Sequence, residues 1–172
     1  MPISPYLKSL RADLGRRCLL LPGVSAVVFD DRSRLLLAQR SDNHEWSLIS
    51  GVMDPGEQPA ETAVREVYEE TAVHAVAERL TSVFTQVPYT YPNGDECEFV
   101  DISFRCRAVG GEARVNDDES LSVGWFGLDA LPPISETTRH RIELALRPGD
   151  AAWFAPPGDI GHDPAFPNGA VR

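Results

Sequence analysis

Apolar positions along the chain follow two different periods. Near the N-terminus, Tyr6, Leu7, Leu10 and Leu14 recur at helical spacing, Ser4 stands where a cap belongs, Pro5 suits the first helical position, and Gly15 ends the run. This pattern predicts a helix lying across the main body. Val24–Phe29 and Leu35–Gln39 are apolar and partly β-branched, and Asp30-Asp31-Arg32-Ser33 between them carries turn chemistry, which predicts a hairpin. A third strand is expected over Trp46–Val52, stopped by Met53-Asp54-Pro55-Gly56. From Pro59 to Ala72 the period becomes 3.6, with Ala60, Ala63, Val64, Val67 and Thr71 on one face.

Strand patterns return at Val83–Val87, at Phe99–Val109 with Ile102, Phe104 and Cys106 alternating, and at Leu121–Phe126. Tyr91-Pro92-Asn93-Gly94-Asp95 and Gly110-Gly111-Glu112 read as turns between them. A last helix is expected over Ser135–Leu146. The five prolines and four glycines of Arg147–Arg172 then predict an extended or loosely docked tail. Strands on both sides of a central helix predict a mixed α/β sandwich. No internal repeat is visible.

At 172 residues, with 42% hydrophobic and 24% charged side chains, the chain is long enough for one domain with a core of its own. A net charge of −10 argues against long nucleic acid and anionic membrane surfaces as partners. No apolar run reaches the roughly 18 residues a membrane-spanning helix needs. Cys18, Cys97 and Cys106 form no CxxC pair and leave an odd thiol, which points to a reducing compartment, the cytoplasm.

The chemistry concentrates on the central helix. At 100° per residue, Glu66, Glu69 and Glu70 fall on adjacent rows and point to one side. Like charges so spaced destabilise an isolated helix by about 0.2–0.5 kcal/mol per pair, so a compensating cation is expected. Oxygen-only donors select a hard ion, Mg²⁺ or Mn²⁺, over zinc. A glutamate-rich helix face is more often plain solvated surface, and the helix alone does not decide the matter. Its surroundings do.

Gly51-Val52-Met53-Asp54-Pro55-Gly56-Glu57, seven further residues, and Arg65-Glu66-Val67-Tyr68-Glu69-Glu70-Thr71-Ala72-Val73 together resemble the Nudix box, G-x5-E-x7-R-E-U-x-E-E-x-G-U with U aliphatic. Every fixed position matches except Ala72, where the family carries glycine. From ordinary residue frequencies, an accidental match of this length is on the order of one in a million. The resemblance implies a Nudix-type α/β/α sandwich around a mixed β-sheet, with an N-terminal helix over 1–21, the hydrolase domain over 22–147 and the tail over 148–172.

It further implies divalent-metal-dependent hydrolysis of a nucleoside diphosphate linked to another moiety. Glu66, Glu69 and Glu70 would be metal ligands, one of them serving as the base or orienting it, and Arg65 would hold a catalytic glutamate. Glu57 would bind metal through water or pair with Arg65. A further acid beyond the box is sought among Asp117, Asp118 and Glu119, with Glu96 and Glu98 as second choice, and Glu119 is preferred.

Two subfamily patterns conflict. Pro88, fifteen positions beyond Val73, resembles the ADP-ribose pyrophosphatase pattern, whereas Tyr89 and Tyr91, sixteen and eighteen beyond it, resemble the dinucleoside polyphosphate pattern. Arg40, Trp46, Tyr89 and Tyr91 are the candidate substrate contacts, each with a packing or surface role as its alternative. The expected substrate is a small nucleotide, ADP-ribose or an ADP-sugar first, with dinucleoside polyphosphates and oxidised nucleoside triphosphates as alternatives. A non-catalytic nucleotide sensor is the alternative of another class, although the box keeps all its acids. Relatives whose pockets are shaped by a neighbouring subunit leave a homodimer open. P-loop, G-x-G-x-x-G and G-x-S-x-G motifs are absent from the sequence, and the four histidines lack ligand spacing.

Overall fold

The computed structural model describes residues 4–91 and 93–157. Helix α1 spans Pro5–Leu14, with the Ser4 hydroxyl accepting the Leu7 N–H at 3.2 Å. Leu7 and Leu10 pack on Leu19, Leu21 and Cys97, while Tyr6 and Leu14 stay exposed. Arg11 fastens the helix to the body, donating through Nη1 to the Arg17 carbonyl (2.8 Å) and through Nη2 to the Glu96 carbonyl (2.8 Å).

The strands are β1 (Leu19–Phe29), β2 (Leu35–Arg40), β3 (Trp46–Ser47), β4 (Ile49–Val52), β5 (Val73–Thr85), β6 (Tyr89–Thr90), β7 (Glu96–Gly111), β8 (Ser120–Phe126) and β9 (Trp153–Phe154). Among the described residues they form one mixed sheet with the main order β3-β2-β1-β7-β5-β9. Off this path, β4 pairs with β1, β6 with β7 and β8 with β2. β1 runs parallel to β7 and antiparallel to β2 and β4. The turn between β1 and β2 is closed by Asp30 Oδ1, which accepts the N–H groups of Arg32 (3.0 Å) and Arg34 (2.7 Å).

Helix α2 (Pro59–Thr71) covers one face of the sheet and α3 (Glu136–Leu146) the other. Val24, Ala26, Val28, Leu36 and Ala38 pack with Ala63 and Val67 of α2. The alternate residues Val27, Phe29, Leu35 and Leu37 pack with Ile142 and Ala145 of α3. Double coverage explains why these strands read as unbroken apolar runs. Each fully buried Val, Leu, Ile or Phe side chain among them contributes about 1.5–3 kcal/mol. The C-terminal carbonyls of α3 are capped from the sheet: Arg79 donates to the carbonyls of Ala145 (2.7 Å) and Arg147 (2.8 Å), and Arg105 to that of Ala145 (3.1 Å).

Several boundaries differ from the pattern reading. β1 starts at Leu19, five residues before the expected Val24, and passes through Pro22 and Gly23. Pairing with β4 begins only at Gly23, so Pro22 lies where a missing N–H is tolerated. The expected strand Trp46–Val52 is two strands, the first on β2 and the second on β1. β5 is far longer than the expected Val83–Val87, because register shifts at His74/Ala75, Ala77/Arg79 and Leu80/Ser82 break the alternation that would have revealed it. In the tail, β9 joins β5 in parallel, and Trp153 packs edge-on against Phe84 at 6.0 Å. The rest of the expected tail, 158–172, lies outside the described residues.

Candidate active site

The site begins with the way α2 is set. Glu61 accepts the Gln58 N–H at 2.8 Å, Pro59 follows the cap, and Thr62, Ala63, Val67 and Thr71 are buried, which turns the opposite rows toward a cleft. Arg65 is the hub of those rows. It grips Glu57 bidentately, Nε to Oε1 at 2.6 Å and Nη2 to Oε2 at 3.0 Å, while Nη1 donates to Glu66 (2.9 Å) and Glu69 (2.8 Å).

Of the two roles open to Glu57, the structure contains the pairing with Arg65. Oε2 also accepts the Asp54 N–H (3.0 Å) and the Thr62 hydroxyl (2.8 Å), whereas Oε1 carries the Arg65 bond alone. The Arg65 bonds lead the causes that hold the Glu57 carboxyl down at about 2.

Glu66 and Glu70 show the opposite behaviour. Burial is the main cause raising Glu66 to about 7, with Glu69 and Glu119 adding to it and Arg65 opposing. Glu70, 9% exposed, is driven well above the ordinary carboxylate range by burial and then by the charges of Glu66, Asp117 and Glu119. Glu69 is the exposed member of the trio. Gly51 of β4 lies directly beneath the Glu66 carboxylate, and a Cβ there would overlap it. The loop before β8 supplies the remaining acids. Its Arg114 and Asn116 N–H groups bond the Thr71 and Glu70 carbonyls, bringing Asp117 and Glu119 to the cleft wall. Asp118, Glu96 and Glu98 are not brought there. Burial raises Glu119 as well.

Two clefts meet at Gly51–Val52. The acidic one, about 530 Å³, is walled by Glu57, Arg65, Glu66, Glu69, Asp117 and Glu119. The other, about 270 Å³, is aromatic, lined by Tyr89, Tyr91 and Phe99, with Arg40 at its edge. Arg40 reaches both sides of the junction, since it also borders a small recess with Ser50, Glu70 and Glu119. Its guanidinium is braced by Asp42, Nε to Oδ1 at 2.8 Å. Tyr89 and Tyr91 meet edge to face at 4.9 Å. Trp46, an expected substrate contact, packs edge-on against Phe126 at 4.9 Å, on the edge of the core beneath α3, and lines neither cleft.

Among the described residues, no three His, Cys, Asp or Glu side chains stand arranged to hold an ion. Arg65 already supplies positive charge to Glu66 and Glu69. The donor set nevertheless fits a hard divalent ion. Glu66 and Glu70 are desolvated oxygen donors whose charges repel one another, and a cation would keep both ionised.

A NUDIX domain profile matches residues 19–146. The chain belongs to the NUDIX family. It is therefore a Nudix hydrolase, a pyrophosphohydrolase by class, and its sandwich is the family's fold. It is 33% identical over 140 residues to a MutT-like protein of Streptomyces ambofaciens, covering 81% of this chain and 82% of that one. It is 29% identical over 119 residues to a putative 8-oxo-dGTP diphosphatase of Bacillus subtilis, covering 69% and 74%. A crystal structure of an ADP-ribose pyrophosphatase from Streptococcus suis superposes with a TM-score of 0.62 at 25% identity, covering 78% of this chain and 98% of that one. Among the described residues, no helix is long and apolar enough to cross a membrane.

Pattern reading missed the floor of the aromatic cleft, where Asp101 and Arg141 lie buried. The available signal was Asp101, Ser103 and Arg105 alternating with Ile102, Phe104 and Cys106, which looks like an ordinary solvent face.

Proposed function

We propose that this Nudix hydrolase cleaves the pyrophosphate bond of a small nucleoside diphosphate derivative, with ADP-ribose or an ADP-sugar as substrate. The observation that carries the reading is the meeting of an aromatic cleft and an acidic cleft at Gly51–Val52, with Arg40 at the junction. The nucleoside stacks by Tyr89 and Tyr91, and the diphosphate crosses Gly51 toward Glu66. Arg40, held by Asp42, pairs with a phosphate oxygen.

Glu66, Glu69 and Glu70 would hold Mg²⁺ or Mn²⁺. Once bound, the ion supplies charge neutralisation for the diphosphate and activation of water. Arg65 keeps Glu66 and Glu69 aimed at the cleft, and its hold on Glu57 anchors the guanidinium itself. Glu119, with its carboxyl raised by burial, accepts the proton released as water attacks. A cytoplasmic location fits the unpaired thiols.

The test is turnover by the purified chain with Mg²⁺ or Mn²⁺ on ADP-ribose, dinucleoside polyphosphates, NADH, nucleoside triphosphates and 8-oxo-dGTP. ADP-ribose should turn over fastest, giving AMP. Failure on every substrate would reject the enzymatic reading in favour of a sensor. Glu70→Gln should lower turnover at least about a hundredfold with the fold intact. Equal rates for variant and parent would reject the metal assignment.

A further inference from the structure

The floor of the aromatic cleft carries a buried ion pair that the cleavage chemistry does not use. Asp101 is 2% exposed and Arg141 8% exposed, joined Nε to Oδ2 at 3.1 Å. The remaining acceptor capacity of Asp101 is taken by the Ser25 hydroxyl on Oδ1 (2.7 Å), the Gln86 amide on Oδ1 (3.4 Å) and the Ser103 hydroxyl on Oδ2 (2.5 Å). A ligand entering the cleft therefore finds no free lone pair on this carboxylate.

It does find what the carboxylate holds in place. Arg141 uses Nε for Asp101 and rests over the Phe84 ring at 5.2 Å. Its two terminal nitrogens have no hydrogen-bond partner among the described residues, and the side chain lines the cleft. Those nitrogens open onto the cleft rather than being sealed in the core, so an acceptor on a bound molecule can take them in place of water. Gln86 gives its Nε2 to Asp101, which leaves Oε1 as its acceptor at the same floor. Donor and acceptor thus flank one carboxylate in the cleft that Tyr89, Tyr91 and Phe99 also line.

We propose that Arg141 and Gln86 read the edge of the substrate's base, and that Asp101 is the positioning residue that aims both. The proposal rests on the nucleoside occupying this cleft, as in the proposed function. An adenine edge offers an amino donor beside a ring-nitrogen acceptor, N6 beside N7, which complements Gln86 Oε1 and Arg141. The N7/O6 edge of guanine offers two acceptors and leaves the Gln86 oxygen facing one of them. Arg141 by itself would suit guanine as well, so it is the Gln86 oxygen that selects adenine nucleotides.

Two readouts separate this proposal from the activity itself: calorimetric binding of AMP and GMP to the full chain in chelator, and kcat and KM for ADP-ribose and a GDP-sugar with Mg²⁺. Replacing Arg141 would leave Asp101 buried and unpaired, so the informative variants are Gln86→Met, at a half-buried position, and Asp101→Asn, each checked by thermal melting. The parent should prefer AMP to GMP. Gln86→Met should weaken AMP about tenfold, shrink that preference and raise KM for ADP-ribose, with the change falling on KM rather than kcat. Asp101→Asn should move both readouts the same way. AMP selectivity lost in these variants supports the proposal even if no substrate is hydrolysed. Hydrolysis of ADP-ribose with KM and AMP affinity unchanged in both variants would overturn it and leave the activity standing. A parent that binds AMP and GMP equally, or neither, would also overturn it.

Discussion

Glu66→Gln is the perturbation whose size follows most directly from the site. The Glu66 side chain is 17% exposed, and its carboxyl is raised from 4.5 to about 7, chiefly by burial. A carboxyl with a raised folded-state pKa binds its proton more tightly when folded. Its contribution is therefore complete below about pH 4.5 and is lost as pH rises through about 7. At about 1.36 kcal/mol per pH unit, the interval from 4.5 to about 7 is worth about 3 kcal/mol. Urea unfolding in EDTA should show the parent losing up to that amount between pH 4.5 and 8.5, and Glu66→Gln losing correspondingly less. At pH 8 and without metal, the variant should be the more stable protein. Mg²⁺ at about 100 times its dissociation constant should return about 2.7 kcal/mol to the parent and less to the variant. Superimposable pH profiles for the two proteins would refute the burial argument. Equal Mg²⁺ responses would refute Glu66 as a ligand.

Glu57→Gln acts with the opposite sign. Because Glu57 is held at about 2, its stabilisation is present above pH 4.5 and lost as pH falls through about 2, so a cost of about 1.5–3 kcal/mol at pH 7 should narrow progressively in acid unfolding curves. Gly51→Ala should push the Glu66 carboxylate aside and lower turnover about a hundredfold while thermal stability changes little; parental turnover would show that this close approach is dispensable. Ala72 ends α2 in the left-handed region at φ 57°, ψ 16°, and is 4% exposed. Ala72→Gly removes strain of about 1–2 kcal/mol, against about 0.8 for the buried methyl and about 0.5–1 for glycine's freedom. Its unfolding free energy should stay within about 1 kcal/mol of the parent, and a loss above about 3 would refute that balance.

The sequence by itself determined the parts that depend on local order. The 3.6-residue period set α2, the caps at Ser4 and Ser135 set the starts of α1 and α3, and the spacing from Gly51 to Val73 fixed which acids share a helix face. Those features need only a few neighbouring residues and fixed backbone geometry. Only the tertiary structure decided that Trp46 packs against the core, that Glu57 pairs with Arg65, and that Glu119 and Asp117 stand beside Glu70 while Glu96 and Glu98 do not. It also decided that Asp101 and Arg141, forty positions apart in the chain, form the floor of a cleft. The reason is that alternation along a strand tells which residues share a face, but not whether helix, ligand or water covers that face. On β7, the answer depends on α3 arriving from the far end of the chain.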